Sequence, residues 1–557
     1  MLLCQQLKPM PLKFYAMKFK LYTLLTIISI SGCGLKFNKA DTVYHNLQYY
    51  NVHTGQTLPG AIAITNGKIV AIGPEREVMN SFRSENSIDL QGGICYPGFI
   101  DAHSHFLGYA KSFLSVDLVG SKTKAECLQR ILSFAESNPN AQWITGRGWD
   151  HSLWDNAYPT KEDLDKLGIN KPIYLKRIDG HSAWLNSKSA ELANLNENES
   201  KPGFIAIQSN NTYIGIVQEK FLDYIDQLVP EYSNEDIKTA LIRAEGKILA
   251  SGLTAVTSAG LSKNDILLLN EAYNENLISI PLYLMANPDN ETLTWLESKP
   301  KLHEKISCYS VKMYADGSLG SRSACLKTPY SDDHNNHGIM RTPFEDMDAL
   351  ASRCFENGWQ LNSHCIGDSA VKIVLDVYGA TLKGSNDNRW RIEHAQVVDP
   401  IDLEKYTTYN IIPSVQPTHA TSDMRWAEDR LSSNRIKNAY NYKKLLACNG
   451  IIALGTDFPV EDISPLKTYY SSVFRQTPFT NNPENGFLLE SALSPDETIK
   501  GMTLYAALAN QWENKFGSLD SGKTANITVL SQKLNSTEWN NPTVRKTVIE
   551  GKVLFEN

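Results

Sequence analysis

The sequence has no paired-cysteine motif and no excess of basic charge. Nine cysteines are scattered over 557 residues, and no two of them form a Cys-x-x-Cys pair. This pattern argues against a cysteine-based zinc site and against a disulfide framework. The formal net charge of -7 at pH 7 argues against a broad nucleic-acid-binding surface. What remains is an ordinary globular composition, with 42% hydrophobic and 21% charged residues, long enough for a large barrel or for two to three domains.

Residues 1–33 have the pattern of a targeting segment. Two lysines precede an apolar run over 21–30, which is shorter than the about 20 residues needed to span a bilayer. Small residues directly before Cys33 are similar to a bacterial lipoprotein cleavage box, and Met17 is a more natural start than the first methionine. We expect a secretory signal, cleavage before Cys33 and a lipid on its sulfur, which would anchor the protein at the membrane of a bacterial cell envelope. The alternative is an uncleaved anchor or a chance apolar stretch.

Short strand-like segments occur near both ends of the chain, at 41–97 and 517–557. In the first of them, an Asn-Gly pair separates two apolar runs, which is the signal of a β-hairpin. Between the ends, residues 98–516 alternate strand-like runs with helix-like stretches, so we expect an α/β fold with a parallel sheet, open or closed into a barrel. An insertion is expected near 106–249, since that stretch is long for one crossover. The two ends together would form one small β domain.

The most informative motif is His103-Ser104-His105, which directly follows an apolar run. Residues i and i+2 of a strand point to the same face, so both imidazoles would leave one strand end together, and neutral imidazole is a good zinc ligand. Other metal-competent or acid–base side chains also follow apolar runs, namely Lys312, His364, His394 and Asp457. In a (β/α)8 barrel, such strand ends converge at the carboxyl face, where active sites of this architecture lie.

Longer motifs extend this pattern and carry a family resemblance. They are GRGWD at 146–150, RIDGH at 177–181, ADGSLGSR at 315–322, VQPTH at 415–419 and FGSL at 516–519. With these motifs in this order, the sequence resembles the amidohydrolase superfamily, and more closely the amidohydrolase-3 branch of metal-dependent hydrolases, from Asp41 to the C-terminus. The resemblance implies a distorted TIM (β/α)8 barrel with an insertion, plus a small β-sandwich domain formed from both chain ends.

The resemblance also implies a site with two divalent metal ions, for which zinc is the default. His103 and His105 would hold the first ion from one strand. His364 and His394 would hold the second ion from two later strands. The same resemblance implies three candidate substrate contacts, which are His181, Arg322 and His419.

Lys312 and Asp457 complete the implied site. Lys312 would bridge the two ions as a carbamate, because a carbamylated lysine offers two anionic oxygens whereas an ammonium group repels cations. Asp457 would bind metal and the attacking water, take a proton as the water attacks, and return it to the leaving nitrogen. If Lys312 is unmodified and paired with a carboxylate such as Asp316, the site would hold one metal.

The implied reaction is hydrolysis of a non-peptide carbon–nitrogen bond, of amide type, in a small molecule. Deamination and lactone or carbamate hydrolysis are alternatives, because the same metal site serves all of these reactions in the superfamily. A non-catalytic envelope binding protein is the remaining hypothesis, and the complete set of candidate ligands argues against it. No nucleic-acid partner is expected, and the sequence leaves a homo-oligomer open.

Overall fold

The computed structural model of the chain describes residues 37–154, 157–178, 182–195, 204–209, 212–384, 386–535 and 539–557. The predicted signal segment with Met17 and Cys33 lies outside these residues, and so does the predicted substrate contact His181. Within the described ranges, no helix combines the length and the apolar character that a membrane crossing needs.

The centre of the fold is a sheet of eight parallel strands whose order in space follows their order in the chain. The strands are Phe99–Ser104, Leu253–Leu261, Leu282–Ala286, Ile306–Tyr314, Gln360–Cys365, Arg391–His394, Ile412–Val415 and Ala453–Leu454. We refer to them as barrel strands one to eight. Most of their residues are buried, because side chains fill the interior and helices cover the outside. The predicted α/β class and the distorted TIM (β/α)8 barrel are confirmed.

Hydrogen bonds between the first strand and the segment after the eighth close the sheet into a barrel. The Asp457 amide donates to the His103 carbonyl at 2.7 Å, and the His105 amide donates to the Phe458 carbonyl at 2.8 Å. Gly455 permits this close approach, since a Cβ atom there would lie 2.5 Å from the backbone nitrogen of His103. The closure brings Asp457 directly beside the two histidines of the first strand.

Helices that bury an apolar face surround the barrel. Two of the longer ones begin with capping boxes, in which Ser233 pairs with Asp236 and Ser262 pairs with Asp265. The α-helices around the barrel are Phe106–Ser112, Asn234–Ser251, Lys263–Asn274, Asn290–Glu297, Phe344–Glu356, Asp368–Leu382, Leu403–Thr408, Pro417–Asp423, Ala427–Arg435, Tyr442–Asn449, Pro465–Phe474, Pro495–Gly501 and Leu504–Ala509. Short 3-10 helices cover Pro400–Asp402, Ile436–Asn438 and Leu489–Ser491.

A mixed sheet of seven strands is built from both ends of the chain. Its central strand, Asn86–Pro97, pairs in parallel with Thr42–Asn51 and antiparallel with Ile527–Leu530. The outer strands are Gln56–Thr65, Lys68–Gly73, Val544–Ile549 and Lys552–Glu556. Beside this sheet lie the helix Glu75–Ser81 and the short strands Asn38–Lys39 and Phe82–Arg83. The two chain ends thus meet in one β domain with its own hydrophobic cluster.

A further sheet is inserted between barrel strands one and two. Among the described residues it has six strands, in the spatial order Phe204–Ser209, Thr212–Glu219, Ser182–Leu185, Ile173–Arg177, Ile144–Trp149 and Val116–Asp117. Its helices are Lys124–Ser137, Lys161–Asp165, Ser187–Leu192 and Lys220–Asp226, with a 3-10 turn at His151–Leu153. The buried Trp149 and Trp184 belong to a hydrophobic cluster separate from that of the barrel, so the insertion has its own core.

Candidate metal centre

The carboxyl end of the barrel collects buried histidines and one carboxylate. The side chains that strands one, four, five, six and eight bring there are His103, His105, Lys312, His364, His394 and Asp457. His419 joins them from the helix Pro417–Asp423, which follows strand seven. His394 and Asp457 have φ angles of 71° and 64°. Such left-handed conformations are uncommon outside glycine and cluster at functional sites.

Asp457 lies between two groups of histidine nitrogens. Its Oδ1 atom is 3.1 Å from His105 Nε2 and 3.5 Å from His103 Nε2, and we call these three residues the first donor group. Its Oδ2 atom is 3.6 Å from His419 Nε2. His394, His419 and Asp457 form the second donor group, because each offers a ligand atom within 4.8 Å of the others. A single carboxylate therefore faces both groups.

Hydrogen bonds on the outer ring nitrogens orient the histidines of the first donor group. His103 donates from Nδ1 to Glu393 Oε2 at 2.6 Å, and His105 donates from Nδ1 to the Ala259 carbonyl at 3.2 Å. An ionised carboxylate and a carbonyl only accept, so Nδ1 carries the proton in both rings and Nε2 keeps its lone pair. Such a partner on the outer nitrogen is typical of metal-binding histidines.

His394 in the second donor group is oriented in the same way, but by a neutral partner. Its Nδ1 donates to Oε1 of Gln416 at 2.8 Å. Gln416 is itself fully buried, and its backbone carbonyl accepts a hydrogen bond from the Tyr442 hydroxyl at 3.1 Å. His394 Nε2 therefore also keeps its lone pair.

The separations between the donor atoms fit a bound metal ion better than hydrogen bonds. Tetrahedral zinc, with bonds of about 2.0–2.2 Å, places its ligand atoms about 3.4 Å apart. The distances from the Asp457 oxygens to the nearest imidazole nitrogens are 3.1, 3.5 and 3.6 Å. Among the described residues, the buried atoms Asp457 Oδ1 and His419 Nε2 have no hydrogen-bond partner. An unpaired buried polar atom costs about 1–3 kcal/mol, so these atoms fit a site that a cation completes.

Burial keeps three histidines of the centre neutral, namely His103, His364 and His394. Burial, followed by the charge of Lys312, lowers the pKa of His364 to about 3. Burial also lowers the pKa of His103 and holds that of His394 well below its usual range. Neutral imidazole is the form that binds a metal ion.

Asp457 in the centre and Glu393 beside it are ionised despite their burial. Burial works to raise the pKa of Glu393, but the neighbouring His103 and the charge of Arg391 outweigh it and hold that pKa at about 2. Burial likewise opposes ionisation of Asp457, but the contact with His105 and the nearby imidazole of His103 hold its pKa below the usual range. Two negative charges therefore lie close to the neutral imidazoles of His103 and His394, an arrangement that attracts a divalent cation.

Lys312 lies beside His103 and not beside Asp316. Its Nζ atom is 3.1 Å from His103 Nε2, it is almost fully buried, and burial lowers its pKa. Asp316 instead accepts three hydrogen bonds from backbone amides of the neighbouring loops, at 2.8–3.0 Å. The structure thus does not pair Lys312 with Asp316. An unmodified ammonium group at this position would donate to the lone pair that a metal needs on His103.

Two of the other predicted site residues are held by their own surroundings. His364 lies next to the second donor group, with its ring centroid 4.5 Å from that of His394, and its Nε2 atom is 3.3 Å from the Gly317 carbonyl. Arg322 donates two hydrogen bonds to Asp332, at 3.0 and 2.8 Å. The guanidinium fork of Arg322 is therefore bound within its own loop region. His181 lies outside the described residues.

Sequence reasoning assigned no role to Glu393, Gln416 or Asp101, which support the centre from outside it. Asp101 accepts hydrogen bonds from the amides of His103 and Thr456 at 3.0 and 3.1 Å, and so ties strand one to the residue before Asp457. A signal for Glu393 was present, because a charged residue within a buried strand is rare unless it is paired. Gln416 had no such signal, since its partner is known only from the fold.

Comparisons with known proteins agree with this geometry. The model of the amidohydrolase family matches residues 86–555. The putative amidohydrolase YtcJ of Bacillus subtilis is 30% identical over 508 residues, which cover 89% of this chain and 96% of that protein. The N-substituted formamide deformylase of Arthrobacter pascens is 23% identical over 544 residues, with 93% and 98% covered. The crystal structure of an uncharacterised metal-dependent hydrolase from Pyrococcus furiosus superposes with a TM-score of 0.73 at 25% identity, over 88% of this chain and 99% of that one.

Proposed function

Because the chain belongs to the amidohydrolase family, we propose that it is a metal-dependent hydrolase that cleaves a non-peptide carbon–nitrogen bond of amide type in a small molecule. The observation that carries this proposal is the position of Asp457, whose two oxygens each face a group of imidazole nitrogens. The site lies at the carboxyl face of the barrel, where side chains from many strands meet. His105 is 29% exposed, so a small molecule can approach the centre from its side.

The choice of an amide-type bond rests on the relatives. The name of the N-substituted formamide deformylase places its reaction at the amide-type bond of such formamides, and that protein aligns with 93% of this chain. The family model adds the general class, a hydrolase of the amidohydrolase type. Fold alone would not decide the substrate, because one barrel architecture hosts many reactions.

Two divalent metal ions are proposed for the site, with zinc as the first metal to test. The proposed ligands are His103, His105, Lys312, His364, His394 and Asp457. Bound divalent ions would polarise a carbonyl group and lower the pKa of water. Lys312 suits this set as a carbamate, because the free ammonium group, 3.1 Å from His103 Nε2, would compete with the metal for that nitrogen.

Asp457 is placed to move the proton that hydrolysis requires. It is ionised in the buried site, so it accepts a proton from the attacking water as the water oxygen bonds to the carbonyl carbon. It then returns that proton to the nitrogen as the carbon–nitrogen bond breaks, which gives a carboxylic acid and an amine. Glu393 keeps His103 in the tautomer that leaves Nε2 free throughout.

A lipid anchor on Cys33 and a place in the bacterial cell envelope are also proposed, from the sequence pattern alone. Cys33 lies outside the described residues. The mass of the mature N-terminal peptide tests this proposal, because cleavage before Cys33 and a lipid on its sulfur change that mass in a defined way. An unmodified Cys33 in the mature protein would contradict it.

The function can be tested by stripping the full chain of metal and then restoring Zn²⁺ in bicarbonate buffer. Each form is incubated with N-substituted formamides, other N-acyl amines, carbamates, lactones and amino-substituted heterocycles. We expect amine release from the formamides or N-acyl amines only in the presence of metal. A chain that binds zinc but releases only ammonia from the heterocycles would be a deaminase. Turnover of lactones alone, or no turnover by the loaded chain, would overturn the proposed bond type.

A further inference from the structure

We infer that His419 is a metal ligand, and that with His394 and Oδ2 of Asp457 it binds the second divalent ion of the site. The inference rests on the proposed function, since it concerns the same metal centre. It changes the role of His419, for which the sequence resemblance implied a substrate contact. It also makes Asp457 a carboxylate shared by two ions, with one oxygen directed to each donor group.

The first step concerns the space between His419 and Asp457. His419 Nε2 lies 3.6 Å from Asp457 Oδ2, which is too long for a hydrogen bond. The two atoms thus face each other without a hydrogen bond between them. The distance is close to the about 3.4 Å that separates two ligand atoms of a tetrahedral zinc ion. A cation between the two atoms satisfies both of them at once.

The second step concerns the partners of His419 Nε2 among the described residues. The atom is buried and has no hydrogen-bond partner among the described residues, although the His419 side chain as a whole is 13% exposed. A histidine that serves as an ordinary core residue satisfies its ring nitrogens. Here the ring is placed against an ionised carboxylate that it does not bond.

The third step is that His394 presents its free nitrogen to the same place. The rings of His394 and His419 are nearly parallel, with centroids 5.8 Å apart and 23° between their planes. Ligand atoms of both rings lie within 4.8 Å of a carboxylate oxygen of Asp457. Because Gln416 binds Nδ1 of His394, the remaining lone pair is on Nε2.

The fourth step is that one turn of backbone fixes both histidines of the second donor group. Gln416, which orients His394, directly precedes the helix Pro417–Asp423 that carries His419. Pro417 is buried at the first position of that helix, and the His419 amide donates to the Gln416 carbonyl at 3.1 Å. The same short segment therefore carries both Gln416, which orients His394, and the side chain of His419. A metal site needs such a rigid support.

The test measures binding of Zn²⁺ alone to the metal-stripped full chain, by calorimetric titration and by metal content after dialysis. The variants are His419→Phe, which keeps a ring but has no ligand atom, and His419→Asn as a smaller second substitution. His53→Phe is the matched control, since His53 is a half-exposed surface histidine bonded to Asp520. Circular dichroism and the melting temperature show whether each variant is folded.

We expect two equivalents of zinc on the wild-type chain and on His53→Phe. In both His419 variants one of the two binding events should be lost, or its Kd should rise beyond the about 10- to 100-fold that loss of a supporting outer group costs. The Kd of the other event should change by less than threefold. Folded His419 variants that bind zinc with unchanged stoichiometry and affinity would overturn the inference and leave the proposed function standing. A wild-type chain that binds no zinc would instead overturn the proposed function.

Discussion

The two donor groups share Asp457 but differ in the residue that stands behind their histidines. In the first donor group, His103 is held by the ionised carboxylate of Glu393, at 2.6 Å. In the second donor group, His394 is held by the neutral amide of Gln416, at 2.8 Å. A negative charge behind an imidazole makes the ring a stronger base and a better metal ligand, whereas an amide only orients it. We expect the first donor group to bind the tighter of the two proposed ions.

Arg391 stabilises the negative charge of Glu393, the residue behind the first donor group. Arg391 is fully buried, and its guanidinium lies 3.7 Å from Oε1 of Glu393 while it donates to Gln360 and Asn362. Together with the contact to His103, this cation keeps Glu393 ionised in the interior of the barrel. The described hydrogen bonds of Gln416 are with the His394 ring, the Tyr442 hydroxyl and the His419 backbone amide, and none of these partners is a carboxylate or an arginine. The difference between the groups therefore extends beyond a single residue.

The largest effect is expected from Asp457→Asn, which removes the carboxylate that the two donor groups share. The amide cannot accept and return a proton, so kcat at saturating zinc should fall by about 100- to 10,000-fold. Because each group loses its anionic oxygen, both zinc affinities should fall together. Turnover of the most active amide and zinc titration measure the two effects.

Asp520→Asn is the control for that experiment, because Asp520 is a half-exposed carboxylate bonded to His53 on the terminal β domain. It should leave turnover within about twofold, as surface ion pairs contribute little. A folded Asp457→Asn enzyme with near wild-type kcat would contradict the proposed proton transfer by Asp457. Unchanged zinc affinities would contradict its role as a ligand shared by the two groups.

Glu393→Gln should affect one group and spare the other. The amide preserves size and can still accept from His103, but the charge is lost, so zinc affinity at the first donor group should fall by about 10- to 100-fold. Arg391 retains its bonds to Gln360 and Asn362, which should allow the variant to fold. Calorimetric titration should show only the tighter event weakened. Equal weakening of both events would mean that the charge acts on the whole centre and that the groups are not distinct.

Much of the fold could be predicted from the sequence, because it depends on local patterns. Apolar runs that alternate with helical stretches indicated the parallel sheet, and the hairpin-like segments at both ends indicated the β domain that the ends build together. The six-stranded insertion sheet was not described beyond its approximate place. Its strands are short, and their order depends on pairings across distant segments, such as Ser182–Leu185 with Thr212–Glu219.

The candidate site was predictable only as a set of strand-end side chains. His103, His364, His394 and Asp457 each follow an apolar run, so their convergence followed from the barrel. Their pairings did not, because partners are far apart in sequence. His103 and Glu393, for example, are 290 residues apart. The same limit applies to His419, which the sequence resemblance placed with the substrate contacts, because its distance to Asp457 depends on where strand seven places one helical turn.

Gln416→Glu tests the second donor group, in which His394 has a neutral partner. A carboxylate at this position would give His394 the same kind of partner that His103 has, so zinc affinity at the second donor group should rise, by up to about tenfold. The Kd of the tighter binding event should not change, so the two Kd values should become more similar. If the ratio of the two Kd values is unchanged in a folded variant, Glu393 and Gln416 do not determine which donor group binds zinc more tightly.

The smallest effect is expected from the backbone that supports the first donor group alone. In Gly455→Ala, the new Cβ would lie 2.5 Å from the nitrogen of His103 and 2.8 Å from Oδ1 of Asp101, so the eighth strand must move away from the first. We expect a loss of about 1–3 kcal/mol in the free energy of unfolding, measured by denaturant titration, and a modest weakening of the tighter zinc event.

Gly246→Ala is the matched control, because Gly246 lies in the middle of the helix Asn234–Ser251 with open space around its α-carbon. Gly246→Ala should stabilise the chain by about 0.5–1 kcal/mol and should not change the Kd of either zinc-binding event. If Gly455→Ala instead weakened the second event as much as the first, the support of the two groups would be shared through the barrel, and the distinction between them would lie only in Glu393 and Gln416.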